Sequence, residues 1–502
     1  MNTLLKVGRR RQSLLAGSRC FATQAGNLSA AAPAKAEPSQ DSPFLRFASP
    51  VPQPSNHQQV FSTIPQTQIT TLPSGLRVAS ETRPFTDTAT VGVWIDAGSR
   101  YETEVNNGTA HFLEHMSFKG TKKRSVKQLE VEIENLGAHL NAYTSREQTC
   151  YYAKVLKNDV PKAVDILSDI LQNSSLENHA IERERNVILR EMQEVEGVAE
   201  EVIFDHLHAT AFQHSPLGRT ILGPAENIRT LTRNDLVDYI QTHYTAPRMV
   251  VAGAGAIDHT HLVDLAGKSF ASLPTNPTTA DDLVKKDPFL WTGSDVRIRD
   301  PDMPNIHFAV AFKGASWSDP DSVALMVMQT MLGAWDSSVG AGGNMSSKLA
   351  QRVAVNGLCK NYMAFNTNYH DTGLFGVYAV AAKDQPVDDL AWAIMREVSK
   401  MCYNPVEEDV IRAKNQLKAA ILFSQDNLSG LAEDIGRHAL VYGRRIPKAE
   451  MFARIDAVDV DTIKAVSDRF IYDQDIAIAA MGDTQNLPDY TWFRRRTYWL
   501  RY

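Results

Sequence analysis

Residues 227–255 read NIRTLTRNDLVDYIQTHYTAPRMVVAGAG, and they lie without a gap on residues 454–482, RIDAVDVDTIKAVSDRFIYDQDIAIAAMG. The register matches Ile228 with Ile455, Leu236 with Ile463 and Gly255 with Gly482. In each copy apolar residues at helical spacing give way to a short polar turn and then to a continuous apolar run. That pattern reads as an amphipathic helix, a turn and a buried strand. Earlier in each half a pair of expected strands (138–156; 361–382) leads through Asp159-Val160-Pro161 or Gln385-Pro386-Val387 into a further helix. A repeat at this distance implies duplication. The expected fold class is therefore α+β: two homologous halves, each a mainly antiparallel sheet packed with helices. The expected domains are residues 67–275 and 289–502, with a linker at 276–288.

At 502 residues the chain exceeds what one hydrophobic core usually serves, in keeping with two domains. With 43% hydrophobic and 22% charged residues it has the composition of an ordinary globular protein. The longest apolar candidate, 323–335, is interrupted by Gln329 and Thr330 and is too short for a membrane span. Four scattered cysteines form no Cys-x-x-Cys pair, so a bound metal has to be held by His and carboxylate. The net charge of −6 hides a division: residues 1–21 carry Lys6, Arg9, Arg10, Arg11 and Arg19 and no acid, leaving −11 on the remainder. An acidic body disfavours a nucleic-acid partner and suits a cationic one. The acid-free, Arg- and Ser-containing leader reads as a mitochondrial targeting presequence, with cleavage near Ala22. Residues 22–66 are rich in Pro and Ser and read as an extended arm. Structure is expected to begin near Thr67, with strands on either side of a Pro73-Ser74-Gly75 turn, a third strand at 90–97 and a helix at 109–118.

That helix carries His111-Phe112-Leu113-Glu114-His115. Residues four apart share a helix face, so the two imidazoles can converge on one ion with Glu114 beside them. The arrangement is the reverse of His-Glu-x-x-His and serves the same geometry. A helix that buries two core histidines is the competing reading. A hydrolytic metal needs a third protein ligand and an open position, and a carboxylate from another element would supply the former. Residues 180–201 (AIERERNVILREMQEVEGVAEE) are strongly helical and place Glu184 and Glu191 seven apart on one face. Spacing alone does not choose between them.

Four segments, GSRYETEVNNGTAHFLEHMSFKGT, ENLGAHLNAYTSREQTCYYAKV, AIERERNVILREMQEVE and PLGRTILGP, resemble in order those of the pitrilysin-type, or inverzincin, metallopeptidases of the processing-peptidase branch. The resemblance runs over nearly the whole chain from Thr67. It implies that His111, His115 and Glu191, the last 76 positions after His115, are ligands of one zinc ion. It implies further that Glu114 is the general base and Glu184 an assisting acid. The strand at 138–144 (AHLNAYT), with Asn141, Ala142 and Tyr143, resembles the family's substrate-binding strand, which would hold an extended peptide through main-chain bonds. Glu201 and Asp205 resemble its pair for a substrate arginine, and Phe118 its contact for the residue after the cut. Independently of any family, Glu194, Glu196, Glu200, Glu201 and Asp205 form an acidic run whose bland reading is a solvated helix face. Matching Ile181 with Ile411 places Ile421 opposite Glu191 and Lys414 opposite Glu184, so the second half is expected to bind no metal. The implied activity is a zinc endopeptidase that removes basic targeting presequences in the mitochondrial matrix, paired with a homologous alpha subunit. The implied alternative is a core subunit of respiratory complex III on the matrix side of the inner membrane, a role that can coexist with the first.

Overall fold

The computed structural model describes residues 65–276, 278–340, 343–345 and 347–498. The expected presequence at 1–21, nearly all of the arm at 22–66 and parts of 337–347 lie outside the described residues. Among the described residues, strands β1 (Gln68–Thr71), β2 (Arg77–Thr82), β3 (Thr88–Ile95), β4 (His139–Thr144), β5 (Thr149–Leu156) and β6 (Met249–Gly255) form one sheet, ordered β1-β2-β6-β3-β5-β4. Strands β7 (Ser294–Arg299), β8 (Asn305–Gly314), β9 (Ala334–Asp336), β10 (Asn361–Asn368), β11 (Gly373–Ala382) and β12 (Ile476–Gly482) form a second, ordered β7-β12-β8-β11-β10-β9. Each sheet has one parallel pair, β2 with β6 and β7 with β12, and is otherwise antiparallel.

The sequence repeat appears as matching elements. Helix Arg233–His243 followed by β6 corresponds to helix Val460–Phe470 followed by β12. Both copies end in a glycine at φ 112°, Gly255 and Gly482, where a side chain would meet the carbonyl oxygen of Thr88 or Asn305. Along β6, Met249 and Val251 face the first half's own helices, whereas Val250, Ala252 and Ala254 face the opposite way. Along β12, Ile476 and Ile478 alternate likewise with Ala477 and Ala479. The alternation of period two makes each sheet apolar on both faces.

The second faces are covered by an exchange of helices between the two halves. Helix Ala199–Ala211, from the first half, buries Ile203, Leu207 and Ala211 against Ala309, Ala311, Ala477 and Ala479 of the second sheet. Helix Leu428–Tyr442, from the second half, buries Leu431, Ile435 and Ala439 against Trp94, Val250 and Ala252 of the first. Small residues on these sheet faces let the helix backbones approach, and each fully buried Ile or Leu contributes roughly 1.5–3 kcal/mol. Each sheet is built from the strands of one half and is completed by a helix from the other.

Two local expectations change, and a third feature was not anticipated. The helix expected over 180–201 is two helices, Asn178–Glu196 and Ala199–Ala211, parted at Gly197 and Val198. The break frees the second of them to cross to the other sheet. The expected linker at 276–288 contains a helix, Ala280–Lys286, started by a capping box between Thr279 and Asp282. Finally, helix Ser322–Leu332 stops at Gly333, φ 69°, and the chain continues as β9. Strand β9 pairs with the outer edge of β10, whereas the equivalent outer edge of β4 in the first sheet has no strand beside it among the described residues.

Candidate metal centre

Helix Thr109–Ser117 packs its apolar face, Phe112, Leu113 and Met116, into the first core and turns His111, Glu114 and His115 toward helix Asn178–Glu196 and β4. Its N-terminus is anchored by a residue that spacing did not single out. Glu102, 4% exposed, accepts from the Asn107 side chain at 2.7 Å and the Gly108 N–H at 2.9 Å through one oxygen, and from the Ala110 N–H at 2.6 Å through the other. Arg219 donates to the carbonyl of Glu102, tying it to the Pro216–Gly218 turn. These bonds satisfy helix-terminal donors that otherwise lack partners. Burial raises the Glu102 carboxyl to about 7 against the pull of those hydrogen bonds. The only sequence signal was an acid shortly before an Asn-Asn-Gly turn and a helix start.

The structure brings His111, His115 and Glu191 together: one donor atom from each lies within 4.8 Å of the others. Nε2 of His115 is 3.1 Å and Nε2 of His111 3.8 Å from Oε2 of Glu191, and the two rings meet edge to face at 4.8 Å. Tetrahedral coordination with metal–ligand bonds of 2.0–2.2 Å requires donors about 3.3 Å apart, so this set fits a zinc-sized ion after small adjustments. His111 is 8% exposed, and its Nδ1 has no hydrogen-bond partner among the described residues, while Nε2 faces Glu191. Burial, assisted by neighbouring His115, lowers its pKa to about 4 and keeps the ring neutral, as a ligand must be. At His115 burial disfavours charge, but hydrogen bonds to Glu184 and Glu191 outweigh it and raise the pKa to about 9. Carboxylates that stabilise a proton there would equally stabilise a cation.

Glu184 stands behind His115: its Oε2 is 3.5 Å from Nδ1, while Oε1 pairs with Lys119 at 2.9 Å. Burial of Glu184 would raise its carboxyl, yet His115 and Lys119 hold it below the ordinary range. A carboxylate on the far nitrogen of a ligating imidazole fixes the ring's tautomer and orientation. Glu114 is half-buried, and burial raises its carboxyl while the Thr144 hydroxyl and His115 pull the other way. Thr144 is the last residue of β4, the strand that packs against the site helix and whose outer edge has no strand beside it among the described residues.

The remaining expected residues are less concentrated. Phe118 ends the site helix and packs against Tyr151 at 6.3 Å. On β4, Asn141 reaches Tyr152, while the Tyr143 hydroxyl donates to Glu433 at 2.6 Å and so joins the edge strand to the exchanged helix Leu428–Tyr442. Glu201 is exposed in the first turn of helix Ala199–Ala211. Asp205, one turn later, accepts from Arg146 at 2.6 Å. The two acids therefore differ: one is open and the other holds an internal guanidinium. In the second half, Lys414 caps helix Lys448–Asp456 by donating to the carbonyls of Asp456 and Val458.

A mixed α+β shell around a His, His, Glu triad with a neighbouring glutamate defines a metallopeptidase-like site. Residues 77–225 match the family model of Insulinase (Peptidase family M16), and residues 230–417 match that of the Peptidase M16 inactive domain. The chain is 61% identical to the "Probable mitochondrial-processing peptidase subunit beta, mitochondrial" of Arabidopsis thaliana, over 92% of this chain and 87% of the relative. It is 53% identical to the "Mitochondrial-processing peptidase subunit beta" of Homo sapiens, over 88% of this chain and 90% of that one. Its fold is similar to a chain in the structure of "Complex III2 from Candida albicans, Inz-5 bound", with a TM-score of 0.77, 25% identity, and coverage of 86% of this chain and 99% of that one. The chain belongs to the M16 metallopeptidase family.

Proposed function

We propose that this protein is the catalytic beta subunit of a mitochondrial processing peptidase, acting in the matrix on basic N-terminal presequences together with a homologous alpha subunit. The observation that carries this reading is the convergence of His111, His115 and Glu191 beside Glu114, near a sheet edge that no strand pairs among the described residues. Identity of 53–61% to proteins named as that subunit supports it.

In this reading His111, His115 and Glu191 would hold a single zinc ion, whose chemistry is to polarise a peptide carbonyl and acidify a water. Glu114 accepts the water's proton and passes it to the departing amine, a role suited to a carboxyl whose pKa burial raises. Glu184 is a positioning group, holding His115 through Nδ1, rather than a direct proton donor. The edge of β4 takes an extended peptide at Asn141, Ala142 and Tyr143 by main-chain pairing indifferent to side chains. Phe118 lines the position after the cut. Glu201 supplies an exposed carboxylate for a substrate arginine, and Asp205 joins it when Arg146 is displaced.

Glu114→Gln should retain bound metal and lose presequence cleavage, because the amide cannot take a proton while both imidazoles remain. Cleavage at the wild-type rate in that variant, with metal content checked by elemental analysis, would remove Glu114 from the mechanism. The structural likeness to a complex III chain supports a second, compatible role as a core subunit of that complex on the matrix side of the inner membrane. Co-migration of the native protein with membrane-bound cytochromes would establish it, and recovery solely as a soluble heterodimer would exclude it.

A further inference from the structure

In the second half, the space between helices Ser322–Leu332 and Glu407–Ser424 corresponds to the one that the metal centre occupies in the first, with Ile421 standing where Glu191 does. It is not filled. A cavity of about 150 Å³ remains, lined among others by Trp317, Gln425, Asp434, Arg437, His438 and Lys448. Arg437 and His438 belong to the exchanged helix Leu428–Tyr442, so the cavity wall is built by elements from both ends of the second half.

Its charges do not balance. Asp434 faces Arg445 at 2.5 Å and Arg437 at 3.6 Å, and accepts from Gln425 at 2.7 Å. Behind it Glu450 accepts from both Arg444, at 2.7 Å, and Arg454, also at 2.7 Å. Lys448, half-buried at the rim, makes no hydrogen bond or ion pair among the described residues. Among the charged residues that line the cavity, Arg437 and Lys448 are therefore met by one carboxylate, Asp434, which Arg445 already engages. His438 is neutral there: burial pushes its pKa down to about 3, Asp434 pulls the other way, and Arg445, Arg437 and Arg444 add to the lowering. Polar atoms are also left over: Gln425 is 8% exposed, yet its Oε1 has no partner, and neither do Nδ1 of His438 and Nε of Arg437. A partly buried excess of positive charge beside buried, uncommitted polar atoms suits an anionic ligand that would pair with both.

We propose that this cavity is a binding site for a small anion carrying phosphate or carboxylate oxygens, held by Arg437 and Lys448 beside the Trp317 ring. The guanidinium of Arg437 lies 5.7 Å from the centre of that ring, which fixes its plane, and its side chain remains 36% exposed for a ligand. The site is distinct from the metal centre, and no carboxylate besides Asp434 lines it among the described residues.

The test is thermal unfolding of the purified full-length protein, titrated with inorganic phosphate and, separately, with succinate, ionic strength being held constant with sodium chloride. The expected result is a saturable rise in the midpoint of about 2 °C or more with at least one of the two. A response to phosphate alone assigns a phosphoryl ligand, and a response to succinate alone a carboxylate. The response should weaken at least tenfold in apparent affinity in Arg437→Gln/Lys448→Gln, and should persist in His111→Ala, which keeps the metal centre from accounting for it. If the double variant does not fold, the unpartnered Lys448→Gln alone should weaken the response about threefold. A shift with neither anion, a shift that never saturates, or one unchanged in the folded variants overturns the proposal.

Discussion

Replacing Glu102 by Ala tests whether the metal-binding helix depends on a cap supplied by a buried carboxylate that lies outside the helix, seven residues before its start. The substitution removes the acceptor of the Gly108 and Ala110 N–H groups, while Asn107 keeps a second acceptor, the carbonyl of Thr220. Each buried N–H left without a partner costs about 1–3 kcal/mol, so two cost roughly 2–6 kcal/mol before water enters the vacated space. An expected loss of about 2–4 kcal/mol follows at neutral pH. The effect should depend on pH, with a definite sign. The folded carboxyl is raised to about 7 from an ordinary 4.5, so the folded state binds the proton more tightly than the unfolded one. The stability this group contributes is complete below pH 4.5 and is lost as pH rises through 7, by about 3 kcal/mol in all. The gap between wild type and Glu102→Ala should thus widen by that order as pH is lowered from 8 to 5. Urea unfolding of the metal-free proteins at several pH values measures it without proton competition at a bound ion. Displacement of the helix start should also slow presequence cleavage about tenfold or more, because small misplacements of catalytic groups are costly. A gap that stays constant or narrows toward pH 5, or normal turnover in the variant, would refute this account of the cap.

Glu191→Gln should weaken zinc binding more than Glu184→Gln, since Glu191 faces both imidazoles and Glu184 only the far nitrogen of His115; a zinc titration giving the reverse order would contradict these roles. Arg146→Gln should release Asp205 and lower the KM for an arginine-bearing presequence without changing that for a peptide lacking the arginine; an equal change in both would place arginine selectivity elsewhere. Gly436→Ala would put its Cβ 2.2 Å from the buried Trp94 ring and disturb the bond from that ring to Glu433. Overpacking of about 1–3 kcal/mol and the lost bond should outweigh the roughly 1 kcal/mol gained in helix propensity, so the unfolding midpoint should fall, and an unchanged or raised midpoint would show that the exchanged helix is not tightly seated.

The sequence by itself determined what is local and periodic. The repeat at 227–255 and 454–482 was legible because helix and strand periods are properties of consecutive residues, and the same periods placed His111, Glu114 and His115 on one helix face. The resemblance, not the spacing, selected Glu191 over Glu184 as the ligand to expect, and the structure now sets both carboxylates around His115, one at each nitrogen. Only the tertiary structure decided the rest. Gly197 and Val198 read as part of a long helix, yet a break there sends Ala199–Ala211 to the other sheet, because the apolar second face of that sheet has to be covered and residues far away in the chain supply the vacancy. The engagement of Asp205 by Arg146, the cap that Glu102 places on a helix seven residues further on, and the contrast between the free edge of β4 and the edge of β10 closed by β9 have the same origin. Each depends on which surfaces meet once both halves have exchanged helices, and a linear pattern carries no record of that meeting.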